Sequence, residues 1–425
     1  MLRNSLASPK EMNILLISNE LGYRGTPRFL VNCAKIAKQA GHNVIVWALE
    51  TGGPAADECK NFDIPVYIGL NCIKSIENFK PAIVHIHRGG GASSRENNIL
   101  RKLKACCSCR ILETNVFGIA DLSFSSPIDV HAHISRWDLW RWRRWLYPIH
   151  RTGIYLPYCV DTESFKPTPS NFRDEYKIPS NAIVMGRLGK TDWITLSNAV
   201  VPAMEKSKNI FFVTVNDYSD NADITNDWPS SIKERIIRIP ALKGPNELSA
   251  FYTACNATMN FSPIGESFGY VVAEAMSCGT PCIALSKPRN DNAQIEIASL
   301  KFGGYPVRDS SAAEETITGL ALNPPTENQK KLCRESIIDR YSIKNFTPIL
   351  LKAYSLLAES NETGKALENL FASNGFVTKI PNCEIKNSLK NVIGGPPDLS
   401  TRFGMNLAYS LPNAIRLHWQ TRHSS

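Results

Sequence analysis

IGESFGYVVAEAMSCGTPCIAL, residues 264–285, decides how the rest of the chain is read. Pro263 and Gly265 break regular structure at its start. Residues 268–276 read as a short apolar helix ended by Ser277, Cys278 and Gly279, and residues 281–285 as a β-type run directly after it. Glu266 stands just before the helix and Glu274 inside it, with seven residues between them. The first turn of a helix carries unpaired N–H groups and a partial positive charge, so Phe268, Gly269 and Tyr270 are placed to face a phosphate. Gly269 lets a ligand approach the backbone. Glu274 lies roughly 7.5 Å further along the axis, at about 1.5 Å per residue. Two carboxylates at those depths suit two hydroxyl-bearing parts of one phosphate-linked molecule. On spacing alone, an acid that merely complements the helix dipole explains the pattern equally well.

The same residues, E-S-F-G-x-x-x-x-E-A-M-x-C-G-x-P in this chain, resemble the E-x7-E signature of the family 4 retaining glycosyltransferases. That resemblance implies a GT-B fold: α/β, two Rossmann-like domains with an interdomain active-site cleft.

The 425-residue chain is long enough for two ordinary domains, and its 43% apolar and 20% charged content is that of a globular protein. It contains no run of 18 or more apolar residues, and residues 1–11 hold no apolar core long enough for a secretory signal, so a cytoplasmic chain is expected. Twelve cysteines fit reduced thiols there. Cys106, Cys107 and Cys109 form the one cluster. It lacks a C-x2-C partner, so packed thiols at the junction of a helix and the strand 110–113 are expected rather than zinc. The net charge of +9 is uneven: residues 1–167 hold 21 Lys+Arg against 14 Asp+Glu. A basic first half suits nucleic acid, an anionic membrane surface or an anionic substrate.

Residues 13–18 read as a buried parallel strand. A glycine-bearing loop through Gly22 and Gly25, a helix over 27–40 and a strand over 43–48 follow, a Rossmann-like unit. The loop is not G-x-G-x-x-G, and no acid is placed for a dinucleotide ribose. Further strands are expected at 64–68, 81–87, 110–114, 130–134, 182–186, 210–216, 236–240 and 257–261, with the last at 303–307. His85 and His87 alternate onto one face of the strand 81–87. Two histidines so placed can hold a metal, though packed and hydrogen-bonded histidines are commoner. Gly89, Gly90 and Gly91 make a loop at that strand's carboxyl end, where open α/β sheets bind ligands. In residues 136–146, Trp137, Trp140, Trp142 and Trp145 interleave with Arg136, Arg141, Arg143 and Arg144. The mixture suits a membrane interface with anionic lipid. It also suits stacking on single-stranded nucleic acid. Because the tryptophans make no clean helical stripe, a plain core segment is the third reading.

The family resemblance extends over residues 12–358. Gly25 and Arg28 match its G-G-x-x-R loop, with Arg24 at the first glycine. Residues 81–87 match its P-D-V-V-H-x-H strand, and Asn115 stands where many members carry a sugar-contacting histidine. Residues 155–167 match its V-I-P-N-G-V-D-x-x-x-F-x-P, with Tyr158 and Cys159 at Asn-Gly. Arg187 and Lys190 match its G-R-L-x-x-x-K-G.

The implied domains are an N-terminal acceptor domain (12–167), a nucleotide-sugar domain (168–340) and a closing helix that returns to the first domain (341–360); residues 361–425 lie beyond the resemblance, and their mix of Gly-Gly-Pro-Pro with polar and basic residues predicts a loosely ordered extension. The implied reaction is retaining transfer of a hexosyl-type sugar from a UDP- or GDP-linked donor to a hydroxyl of a glycan or lipid-linked glycan. No cofactor beyond the nucleotide sugar is implied. The chain holds no D-x-D motif, in keeping with metal-independent chemistry. Glu266 and Arg187 carry the catalytic roles. Lys190, Ser267, Phe268, Gly269, Tyr270 and Glu274 bind donor, and Gly25, Arg28 and Asn115 meet acceptor or sugar. Peripheral membrane contact through residues 136–146 is expected, and nucleic acid is not. The rival reading is a non-catalytic GT-B subunit that binds a partner or nucleotide.

Overall fold

Continuous apolar runs belong to strands covered on both faces, and these runs build two wholly parallel sheets. A computed structural model describes residues 11–22, 24–89, 93–121, 126–145, 151–215 and 227–395. The first sheet holds β1 (Asn13–Glu20), β2 (Asn43–Thr51), β3 (Val66–Ile68), β4 (Ile83–Arg88), β5 (Arg110–Asn115), β6 (Val130–His133) and β7 (Gly153–Tyr155). The second holds β8 (Ile183–Arg187), β9 (Ile210–Val215), β10 (Ile236–Ile239), β11 (Ala257–Asn260), β12 (Cys282–Leu285) and β13 (Tyr305–Val307). Their orders are β3-β2-β1-β4-β5-β6-β7 and β10-β9-β8-β11-β12-β13. Both run outward from a first strand in two directions, the doubly wound pattern of the Rossmann fold. The strand order reverses beside β1 and β4 in one sheet and beside β8 and β11 in the other. Loops leaving the carboxyl ends of those strands therefore open onto the crevice where such sheets bind ligands.

Leu15 in β1 faces Ile45 and Val84 across the ladder, and all three are buried with Ile17, Trp47 and Ile86 against Leu100 and Leu103. In the second sheet Met185, Phe212, Met259 and Ile283 pack against Leu196, Val200 and Ile317 of flanking helices.

The chain divides into two units. One comprises the residues up to Cys159 and Phe346–Ile380. The other comprises Val160–Asn345 and the described residues from Pro381 to 395. Helix Ile343–Glu359 thus begins in the second unit and packs in the first, where Phe346, Leu350, Tyr354 and Leu357 are buried.

The structure corrects three expectations. Residues 361–395 are not a loose extension: they contain helices Gly364–Ser373 and Asn382–Lys390. Leu367 and Phe371 are buried, and Tyr155 N–H donates to the Val377 carbonyl at 2.8 Å, so tertiary burial orders a segment whose composition reads as loosely ordered. The second helix of this pair sends the chain to Ile393, which bridges Val307 of β13. Residues 396–425 lie outside the described residues.

The Trp/Arg segment is the second correction. Helix Arg136–Trp145 buries Trp137, Trp140, Trp142 and Arg141, so these side chains are core rather than membrane contacts. Arg141 pairs with the buried Asp138 at 2.7 Å. Arg143 donates to the carbonyls of Arg151 and Thr378 and meets Glu368 at 3.0 Å. The Trp145 side chain and Leu146 lie outside the described residues, as do Gly90, Gly91 and Asn216.

The third correction is the helix of the opening stretch, which runs Tyr270–Ser277. Gly269, with φ +99°, takes the left-handed conformation before its first turn, and this shortens the expected helix by one residue pair at the front.

Candidate functional site

The second sheet's reversal point gathers most of the expected donor residues. β8 ends in Arg187, and the loop leaving it holds Lys190. The loop leaving β11 holds Glu266, Ser267, Phe268 and Gly269 and feeds helix Tyr270–Ser277. Gly189 has φ +93°, and a Cβ built on it would lie 3.8 Å from Val271, so the first loop rests against the first turn of that helix.

Arg187 is buried by its own loop and by β9. Nε donates to Thr191 Oγ1 at 2.6 Å, Nη1 to Thr214 Oγ1 at 3.2 Å and to the Val215 carbonyl at 3.3 Å, and Nη2 to the Gly189 carbonyl. The guanidinium also lies 4.7 Å from the Trp193 ring. The result is a fixed positive charge at the strand end. Asp192 closes the loop by capping helix Trp193–Lys206 through Thr195 N at 3.1 Å, and it pairs with Lys287 at 3.2 Å.

Glu266 is held from three sides. Its N–H donates to Gln294 Oε1 at 3.0 Å, its carbonyl accepts from Ala293 N at 2.9 Å, and its Oε1 accepts from Asn260 Nδ2 at 3.1 Å. Burial lifts its carboxyl above the ordinary range. The Asn260 amide and the Lys190 charge pull it back, and Asp291 pushes it up. Ser267 Oγ donates to Asp291 Oδ2 at 2.5 Å. Gly265, φ +70°, passes so close to residue 291 that a Cβ would meet the Asp291 carbonyl oxygen at 1.6 Å. Only glycine allows the two loops to close in this way.

Phe268 and Tyr270 stack edge to face at 5.2 Å, and Phe268 meets Tyr341 at 5.3 Å, which fixes the backbone N–H groups of the first turn. Glu274 is buried one turn further in, and Tyr252 Oη donates to its Oε2 at 3.2 Å.

Asn260, Gln294 and Tyr252 thus take part beside the residues expected from the motif. Tyr252, an aromatic on a flanking helix, gave no signal.

The remaining expected residues lie in the first unit. Gly25 and Arg28 open helix Gly25–Gln39 after β1, both half-buried. Asn115 ends β5, and its amide braces the following loop: Nδ2 donates to the Ile119 carbonyl at 2.7 Å and Oδ1 accepts from Ile119 N at 3.0 Å. Beside it lies a buried ionic group. Arg88 meets Glu96 at 3.1 Å and Glu113 at 3.1 Å and donates to Asn97 at 2.8 Å, while His131 Nδ1 bonds Glu113 Oε2. Burial pushes the Glu113 carboxyl up, but His131 and Arg88 outweigh it and hold it below the ordinary range.

A family model of the group 1 glycosyl transferases matches residues 179–313, all within the unit that carries the Glu266 loop. No curated protein matches the chain. A glycosyltransferase from Rickettsia africae is structurally similar, with a TM-score of 0.67 at 18% identity over 83% of this chain and 100% of that one. HepE of Anabaena, solved with UDP and glucose, gives 0.59 at 14% identity over 81% of this chain and 100% of its own. Sucrose-phosphate synthase of Thermosynechococcus elongatus gives 0.59 at 16% identity over 82% and 100%. Two parallel α/β units of these strand orders, with these neighbours, define a GT-B fold.

Proposed function

We propose that the chain is a retaining glycosyltransferase that moves a sugar from a nucleoside diphosphate sugar, UDP- or GDP-linked, to a hydroxyl of a glycan or lipid-linked glycan. The observation that carries this reading is the Glu266 loop. A buried carboxylate, a helix N-terminus and the Arg187 and Lys190 charges share one reversal point, inside the region matched by the group 1 family model. In this reading Arg187, Lys190 and the N–H groups at Phe268–Tyr270 stabilise the leaving diphosphate. Ser267 adds a hydroxyl. Glu266 holds the donor sugar's hydroxyls, and Glu274 the ribose. Gly25, Arg28 and Asn115 belong to the acceptor-binding unit. The bond from the anomeric carbon to phosphate oxygen breaks while the bond to the acceptor oxygen forms on the same face. The acceptor proton passes to the departing phosphate. No metal or further cofactor takes part. Among the described residues no helix is long and apolar enough to cross a membrane; we place the protein in the cytoplasm.

Incubating the purified protein with a panel of UDP- and GDP-sugars tests this. One donor should raise its unfolding temperature, the equivalent of about 2.7 kcal/mol at a hundredfold excess over Kd. The same donor should be hydrolysed slowly or transferred, and Glu266→Ala and Arg187→Ala should abolish turnover. A second reading, a non-catalytic GT-B subunit, is favoured by the ties of Arg187 to Thr191, Thr214, Val215 and Gly189. It requires nucleotide binding without turnover of any donor, and that result would replace the first reading.

A further inference from the structure

Helix Gly25–Gln39 lays Cys33 against the face of β4 that carries His85 and His87. One ligand atom from each of the three lies within 4.8 Å of the others. Cys33 and His85 have no exposed surface and His87 only 2%. The two imidazoles differ in their partners. His85 is oriented through both nitrogens, Nδ1 to Tyr354 Oη at 2.8 Å and Nε2 to Thr114 Oγ1 at 2.8 Å. His87 sits 4.1 Å from the His85 ring and edge-on to Phe29 at 5.6 Å, and neither of its ring nitrogens has a hydrogen-bond partner. A buried polar group left unpaired costs about 1–3 kcal/mol, and native structures keep few of them. The glycosyl-transfer reading makes no use of His87.

We propose that Cys33, His85 and His87 form a structural zinc site in the core of the first unit. A thiolate with two imidazoles is a nitrogen and sulfur donor set that zinc prefers. The lone pair of one His87 nitrogen, which faces no protein donor, gains a partner. One nitrogen of His85 leaves its hydroxyl for the ion, and the hydroxyl on the other holds the ring in place, as outer partners of metal-bound histidines do. Cys159 is buried and lies close enough to Cys33 for their charges to interact. Phe29, Tyr158 and Phe346 cover the group, Phe29 stacking on Tyr158 at 4.3 Å. A site so enclosed is loaded as the chain folds and leaves no open position for substrate, which marks it as structural.

The test is to express the full chain in minimal medium supplied with zinc or with cobalt. Purified protein should carry one zinc per chain. The cobalt form should show a near-ultraviolet thiolate-to-cobalt charge-transfer band and visible bands of tetrahedral intensity. Cys33→Ala should remove the charge-transfer band, and His87→Asn should reduce the bound metal several-fold. The triple variant Cys106→Ser, Cys107→Ser, Cys109→Ser should keep both, since it alters the thiol cluster at 106–109 and leaves Cys33 in place. Folded wild-type protein without metal overturns the proposal, as does a band that survives Cys33→Ala or vanishes in the triple variant. If Cys33→Ala does not fold, the wild-type metal content and the triple variant still decide.

Discussion

The two reversal points share a strand order and differ in what fills them. At the second, beside β8 and β11, glycines at 189, 265 and 269 take positive φ, and the carboxylate of Glu266 stands beside the Lys190 charge. At the first, beside β1 and β4, Arg88 is already tied to Glu96, Glu113 and Asn97, and His85 and His87 lie in the core. The sheet order fixes where a ligand can sit. The loop chemistry fixes whether charge remains there to receive one. In the proposed reading the second crevice receives a ligand's phosphate and hydroxyls, while the ionic group in the first is tied within itself.

The largest effect expected from this contrast is on stability. Arg88→Ala leaves two buried carboxylates against one histidine and should cost about 3–5 kcal/mol in urea unfolding, the penalty for breaking a buried ionic group. Donor-induced thermal shifts should survive in the fraction that folds. Loss of donor response with unchanged stability would mean that the first crevice also serves the ligand, and the contrast would fail.

Next comes Arg187→Ala, expected to lower turnover about 10²–10³-fold if the charge stabilises the leaving diphosphate. It also releases Thr191, Thr214 and two carbonyls from their bonds, so unfolding should begin earlier. Arg187→Lys sharpens the reading. A single ammonium cannot reproduce the guanidinium's fork, so the loop should loosen while the charge persists. Full activity in the lysine variant would assign Arg187 to charge alone.

Gly265→Ala should follow, at about 1–3 kcal/mol for the strained backbone plus the shift of residue 291. Its 1.6 Å approach to the Asp291 carbonyl means the loop must open, so the donor-induced shift should fall even where the fold persists. An alanine variant that binds donor like the wild type would show that the closed loop is not the binding form.

Much of this contrast was legible in the sequence, for reasons that particular residues make plain. Parallel strands buried on both faces read as apolar runs, so β1, β4 and β8 stood out, while Gly153–Tyr155, three residues long, did not. Glu266, Gly269 and Glu274 were visible because their spacing follows helix geometry. Tyr252 was hidden because its role depends on a contact made at a distance along the chain, 22 residues from Glu274. The Trp/Arg helix misled because composition does not reveal which side chains a fold buries. Arg141 is fully buried, and Asp138 three residues earlier supplies the counter-charge that allows it. Helix Gly364–Ser373 was invisible for the same reason: its order comes from Leu367 and Phe371 packing into a core formed by other residues.

The smallest effect is the most diagnostic of Glu266. Its carboxyl is raised above the ordinary value of 4.5, chiefly by burial. In the pH interval from the unfolded value up to the raised one, the folded state therefore binds more protons than the unfolded state, and stability falls as pH rises through that interval. Glu266→Gln removes the charge, keeps an oxygen for the Asn260 amide and does not titrate. At neutral pH the glutamine variant should be the more stable protein. The gap should close as pH falls below the interval, where the wild-type side chain is also neutral. The same variant should lose donor turnover at every pH. A stabilising substitution that silences the site is what a carboxylate kept for a ligand produces. A wild type that outlasts Glu266→Gln at neutral pH, with the gap widening as pH rises, would instead make Glu266 a structural ion held by Lys190 and Asn260, and the second crevice would then be as self-satisfied as the first.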